Sequence, residues 1–187
     1  WYELMNNNNI IFGISHINII TGQTYLCEYI EKYSKTPTIL DNLERYLSIY
    51  NPCEIICITN LDIRENKNLI NMLNIQTQNV RTIYLNNENI GNKLNLQAKN
   101  CSKQVYIKEV MQSVFQPHDY NSFIYDYLQY TYGLQAFTFL CNWISQHNEY
   151  LLDKISPPLL ETSNETMQLA NHSLTQLNII NNNKTKC

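Results

Sequence analysis

Three carboxylates, Glu28, Asp41 and Glu44, are close enough in sequence for one strand and the helix after it to bring them together. Carboxylates that converge on a sheet can hold a pair of divalent metals and hydrolyse phosphodiesters. The first strand of the same hairpin offers Asn18 where such a site needs a negative charge, and a carboxamide is a weak magnesium ligand. Glu28 and Glu44 therefore read first as solvated face residues. A metal-dependent nuclease stands as the alternative from the enzyme class.

Other reactive side chains are dispersed. The histidines at 16, 118, 147 and 172 have no His or Cys three or four residues away to share a metal. His16 falls inside a β-rich run and reads as a structural histidine. Six cysteines, at 27, 53, 57, 101, 141 and 187, form no C-x-x-C pair, so they read as free, mostly buried thiols, with Cys53 and Cys57 on one face of a strand. Four glycines, at 13, 22, 91 and 133, leave no Gly-rich phosphate cradle, no G-x-G-x-x-G and no nucleophile turn. Lys99, Lys103 and Lys108, beside Asn100 and Gln104, have the chemistry to touch a phosphate backbone, yet they read as the solvated side of a helix. Tyr120 to Tyr132 holds five Tyr and one Phe in 13 residues, which could stack bases. With Asp119 and Asp126 nearby and no Lys or Arg, packing between helices is the expected use.

The elements that must position these residues follow from periodicity. Ile10 to Ile20 and Thr24 to Ile30, around Thr21-Gly22, predict a hairpin. Apolar residues at 39, 40, 43, 46, 47 and 50 predict a helix, with capping-box spacing at Thr38 and Asp41, stopped by Asn51-Pro52. Cys53 to Thr59 predicts a strand buried on both faces, Asp62 to Asn74 a second helix and Val80 to Leu85 another strand. Residues 86 to 96 read as a loop, and helices are expected over Gln97 to Phe115, Tyr120 to Tyr130 and Leu134 to Ile155 before Ser156-Pro157-Pro158 breaks the chain.

Composition bounds the answer. The 187 residues carry 13 Lys plus Arg against 16 Asp plus Glu, a net charge of −3, which excludes a wholesale basic clamp on nucleic acid. No run approaches 18 apolar residues, so the chain reads as soluble. Asn and Ile number 28 and 23, a skew that points to an AT-rich viral, organellar or microbial genome. Sequons at Asn100, Asn164, Asn171 and Asn183 are no more than chance supplies. A start at Trp1 and a stop at Cys187 after Asn181 to Asn183 read as an excerpt of a longer protein.

Four segments carry a family resemblance. Phe12-Gly13-Ile14-Ser15-His16-Ile17-Asn18-Ile19-Ile20-Thr21-Gly22 resembles the opening of the connector domain of MutS-type DNA mismatch-repair ATPases, G-[IVL]-[AS]-x-[IVL]-D-x-x-T-G, with Asn18 in place of Asp. Leu40 to Leu47, continuing to Asn51-Pro52-Cys53-Glu54-Ile55-Ile56, is similar to that domain's passage from helix to strand. Gly133 to Ile155 is similar to its closing helix, and Met167 to Ile179 resembles the start of the core, or lever, domain. The order of the segments matches as well.

The resemblance implies an α/β fold. Residues 1–9 would end a preceding domain or form a linker, 10–150 would be a ribonuclease-H-like connector sheet with flanking helices, and 151–187 would begin an incomplete all-α core domain. It implies that the parent protein binds mismatched duplex DNA through other domains, hydrolyses ATP with magnesium, and works as a homodimer inside a mitochondrion or a virus-infected cell. No F-x-E or Walker pattern occurs here, so the excerpt is expected to hold no catalytic, cofactor or metal residue and to transmit between working parts. The alternatives are a ribonuclease-H-like nuclease built on Glu28, Asp41 and Glu44, and a freestanding protein-interaction module with its own start and stop codons.

Overall fold

The structure, a computed structural model, describes residues 1–73, 79–86, 93–115 and 124–161. Of the all-α core domain expected over 151–187, residues 162–187 lie outside them, as do His118, His172, Cys187 and the sequons at 164, 171 and 183, while Leu159 and Leu160 join the sheet beside Tyr25 and Leu26.

Six strands form one mixed sheet: β1 (Tyr2–Leu4), β2 (Asn9–Ile17), β3 (Thr24–Lys32), β4 (Ile55–Thr59), β5 (Val80–Tyr84) and β6 (Leu159–Leu160), in the spatial order β5-β4-β1-β2-β3-β6. β2 runs antiparallel to its neighbours β1 and β3, β4 runs parallel to β1, β5 parallel to β4, and β6 parallel to β3. The β2–β3 hairpin is as predicted. Its tip is held by the Asn18 carboxamide, which accepts from Ile20 N at 3.0 Å and Thr21 N at 3.3 Å, so Asn18 is a turn residue and not a stand-in metal ligand. Gly22 follows with φ of 74°, a left-handed conformation in which an added Cβ would also lie 2.0 Å from Lys154 O.

Among the described residues, five helices of nine residues or more cover the sheet: α1 (Asp41–Tyr50), α2 (Ile63–Met72), α3 (Lys93–Cys101), α4 (Gln104–Val114) and α5 (Thr131–His147), with a further helical turn at 124–127. Alternation along the strands divides them between the two faces. Tyr2, Ile10, Phe12 and Cys57 point to the side where Leu40 and Leu69 bring in α1 and α2. Leu26 and Ile58 point to the other, where Met111, Phe137, Cys101 and Phe139 bring in α3, α4 and α5. α2 starts where Asp62, expected to be its first residue, instead caps it by accepting from Glu65 N at 2.7 Å.

Several expectations are corrected. Residues 1–9 do not stand apart from the sheet: Tyr2–Leu4 pair with Phe12, Ile11 and Ile10 on one side, and Tyr2 pairs with Thr59 on the other. The Thr38–Asp41 capping box does not form, because Pro37 opens a 3-10 turn over Pro37–Leu40 and Thr38 Oγ1 turns to Thr36 Oγ1 at 2.9 Å. Cys53 precedes β4 and is exposed, leaving Cys57 as the buried thiol of that pair. The helix expected from 97 to 115 is two helices. Ser102 Oγ donates to Lys99 O at 2.7 Å, Lys103 N to Asn100 O at 2.9 Å, and Lys103 is extended, so α3 closes and α4 restarts. α5 ends at His147, because Asn148 is extended and Glu149–Lys154 tighten into a 3-10 turn.

Candidate functional site

The most constrained place in the described structure is where α5 begins. Its N-cap residue, Tyr130, makes no side-chain cap, yet the amino end lies against the sheet where backbone donors must be satisfied. Glu28 on β3 supplies the partner: its Oε2 accepts from Tyr132 N at 2.7 Å and from Gly133 N at 2.9 Å. A carboxylate at the positive end of a helix is favourable twice over, by hydrogen bonding and by the dipole. Burial pushes the Glu28 carboxyl above its ordinary pKa, and the two N–H groups pull it back down.

Glycines allow the approach. Gly13, opposite Glu28 in the β2–β3 register, lies so near α5 that a Cβ there would be 2.2 Å from Tyr132 C and 2.5 Å from Gly133 N. Backbone cannot swing aside as a side chain can. Gly133 is seated in turn on Leu26, with an added Cβ 2.7 Å from Leu26 Cδ2. Sheet and helix therefore meet backbone to backbone.

The opposite face holds a histidine–tyrosine stack. His16 on β2 lies flat on Tyr25 of β3, with ring centroids 4.6 Å apart and 9° between planes, and against Tyr50 of α1 at 3.9 Å. Its Nδ1 hydrogen-bonds Tyr46 Oη, and Tyr46 packs on Tyr50 at 4.7 Å. Burial lowers the His16 pKa to about 4, so the ring is neutral at pH 7, the structural role expected of it. Around it, burial raises Tyr46, and pushes Tyr50 and the Cys27 thiol up to about 12, with Glu161 adding to both. Glu161 is itself raised by burial, opposed by its hydrogen bond with Tyr50 and by the Arg45 charge. A protonated thiol and a neutral imidazole amid tyrosines make a poor nucleophilic site and a good clamp between hairpin and α1.

At the carboxyl ends of β1 and β4, where α/β sheets commonly open a crevice, carboxamides close the gap. Asn60 accepts from Leu4 N at 2.8 Å and donates to Leu4 O at 3.0 Å, prolonging the β1–β4 ladder with a side chain. Fully buried Asn66 accepts from Tyr2 Oη and donates to Tyr84 Oη at 3.0 Å, and Asn86 donates to Asn60 O at 2.7 Å.

The predicted carboxylates are not brought together. Glu28 faces α5, whereas Asp41 and Glu44 belong to α1 on the opposite side of the sheet, so no shared metal pair can form between them. Among the described residues, no group of three His, Cys, Asp or Glu is placed to hold a metal ion. Within the described part of the tyrosine run, Tyr127 is buried and donates to Pro158 O, while Tyr125 is exposed. His147 caps α5 internally through Trp143 O at 2.8 Å. The Glu28 seat escaped sequence reading because its partners are more than 100 residues away; the signal present was Gly13 inside a strand, a mark of close backbone approach.

Comparison with known proteins gives one finding. The chain is 23% identical over 190 residues to a protein of Acanthamoeba polyphaga mimivirus named as a DNA mismatch repair mutS homolog, covering 95% of this chain and 17% of that relative. The chain thus spans about one sixth of the relative's length. No family model matches the chain, and no solved structure matches it. A distant MutS-related likeness is what the comparison supports. Among the described residues no helix is long and apolar enough to cross a membrane.

Proposed function

We propose that this chain is a connector segment of a MutS-like DNA mismatch-repair protein, a ribonuclease-H-like sheet that passes displacement between a mismatch-reading part and an ATP-hydrolysing part. Antiparallel strands followed by helix, strand, helix and strand support the fold assignment, and a mutS-homolog relative that aligns along nearly the whole chain supports the family. In this reading the connector begins at β1 and runs through β6, and the chain after residue 161 leads toward the core domain. Binding of mismatched duplex, ATP and magnesium, and pairing into a homodimer, belong in this reading to the rest of the parent protein.

The observation that carries the mechanical role is the seat of α5. A relay transmits only through parts that move as one body. Contact between the backbones of β2 and α5 at Gly13, reinforced by Glu28, leaves little room for one to slide on the other. In the parent protein, Glu28→Gln is expected to leave mismatched-duplex binding and unstimulated ATP turnover in place while weakening stimulation of turnover by the mismatch. Undiminished stimulation would overturn the relay. Appreciable ATP or DNA hydrolysis by residues 1–187 alone would overturn the assignment of the chemistry to other domains.

A further inference from the structure

The charge of the chain is unevenly placed. Residues 93–115, which form α3 and α4, hold Lys93, Lys99, Lys103 and Lys108 against Glu109 alone, a net +3 within a chain whose total is −3. All four lysines are exposed, and among the described residues none is held in an ion pair. Lys103 Nζ donates instead to the neutral carboxamide of Asn100 at 2.9 Å. The break at Ser102–Lys103, absent from the sequence-based expectation of one helix, brings the end of α3 and the start of α4 to one corner. No acidic residue occupies the first turn of α4, so nothing there offsets the lysines or the positive end of the helix.

A surface of lysines interleaved with Asn100, Ser102 and Gln104, with exposed Val105 beside them, fits a polyanion. Protein partners are gripped by buried aromatics and arginines, whereas a phosphodiester backbone is gripped by lysines and neutral hydrogen-bonding groups. We propose that the α3–α4 corner is a sequence-independent contact for the phosphate backbone of duplex DNA. The choice of DNA as the polyanion rests on the MutS-like reading; the charged corner itself does not.

The test is fluorescence anisotropy of residues 1–187 with a labelled, fully matched duplex, titrated with salt. Lys99→Gln/Lys103→Gln/Lys108→Gln is compared with Lys32→Gln/Lys35→Gln/Lys154→Gln, which removes the same charge from elsewhere on the surface, and circular dichroism confirms that both remain folded. The corner variant is expected to bind about tenfold or more weakly, with a salt slope shallower by about 2, while the other variant shows a markedly smaller loss. No duplex binding by the unaltered chain at low salt, equal weakening by both variants, or stronger binding of a polyglutamate probe than of duplex would each overturn the proposal. A parent protein in which Glu28→Gln leaves mismatch stimulation intact would sink the relay but not this contact, because a matched duplex needs no mismatch reading.

Discussion

The two faces of the sheet are held by different means. On one, α1 and α2 are short helices beside their own strands, joined to the sheet by interdigitated side chains such as Leu40 and Leu69 over Ile10 and Phe12, with the His16 stack at one end. On the other, α5 is buried along most of its length and meets β2 backbone to backbone at Gly13. Side chains can change rotamer and let a helix shift by fractions of an ångström; two backbones in contact cannot. The α5 face is therefore the rigid arm of the molecule and the α1 face the compliant one.

That contrast can be broken experimentally. Gly13→Val should give the largest effect, on the order of 4 kcal/mol or more in urea unfolding, because the added carbons meet α5 backbone. A loss of only a few tenths would mean that α5 is loosely seated. Glu28→Ala should cost about 2 to 3 kcal/mol by the same measurement, since it orphans two donors of a helix end, and Glu28→Gln should recover part of it.

On the compliant face the sharper probe is pH. The folded-state pKa of His16 is lowered to about 4, so the unfolded chain binds the proton more readily, and stability is lost as pH falls from about 6.5 toward 4. Relative to His16→Gln, the unaltered chain should lose about 2 kcal/mol between pH 7 and pH 4, read from paired urea titrations. Parallel pH profiles of the two proteins would remove His16 from the clamp. The smallest effect belongs to Asp62→Ala, about 1 kcal/mol from loss of the α2 cap, with faster amide exchange confined to the first turn of α2.

Much of this architecture was legible in advance. The β2–β3 hairpin, α1 with its stop at Asn51, β4, α2 and β5 all follow local periodicity and helix-stop signals. Misreadings fell where local signals were weak or outvoted. Tyr2–Leu4 is too short to show a period and becomes a strand because β2 and β4 flank it. The helix over 97–115 looked continuous because a serine–lysine break carries no Gly or Pro, and β6 is two residues long behind a proline pair.

The sequence by itself determined the hairpin, α1, β4, α2 and β5, because hydrophobic period and helix-stop signals act within a few positions of the chain, whereas β1, β6 and the α3–α4 break were left to the tertiary structure. It also determined the absence of Gly-rich phosphate loops and paired metal-ligand motifs, since those need particular residues at fixed spacing. Only the tertiary structure decided what the side chains do. It turned Glu28 toward α5 and away from Asp41 and Glu44, made Gly13 a point of contact instead of a strand defect, and gathered His16, Tyr25, Tyr46 and Tyr50 into one stack. The physical reason is that a strand's two faces are set by register, and register is fixed by pairing between residues far apart in sequence.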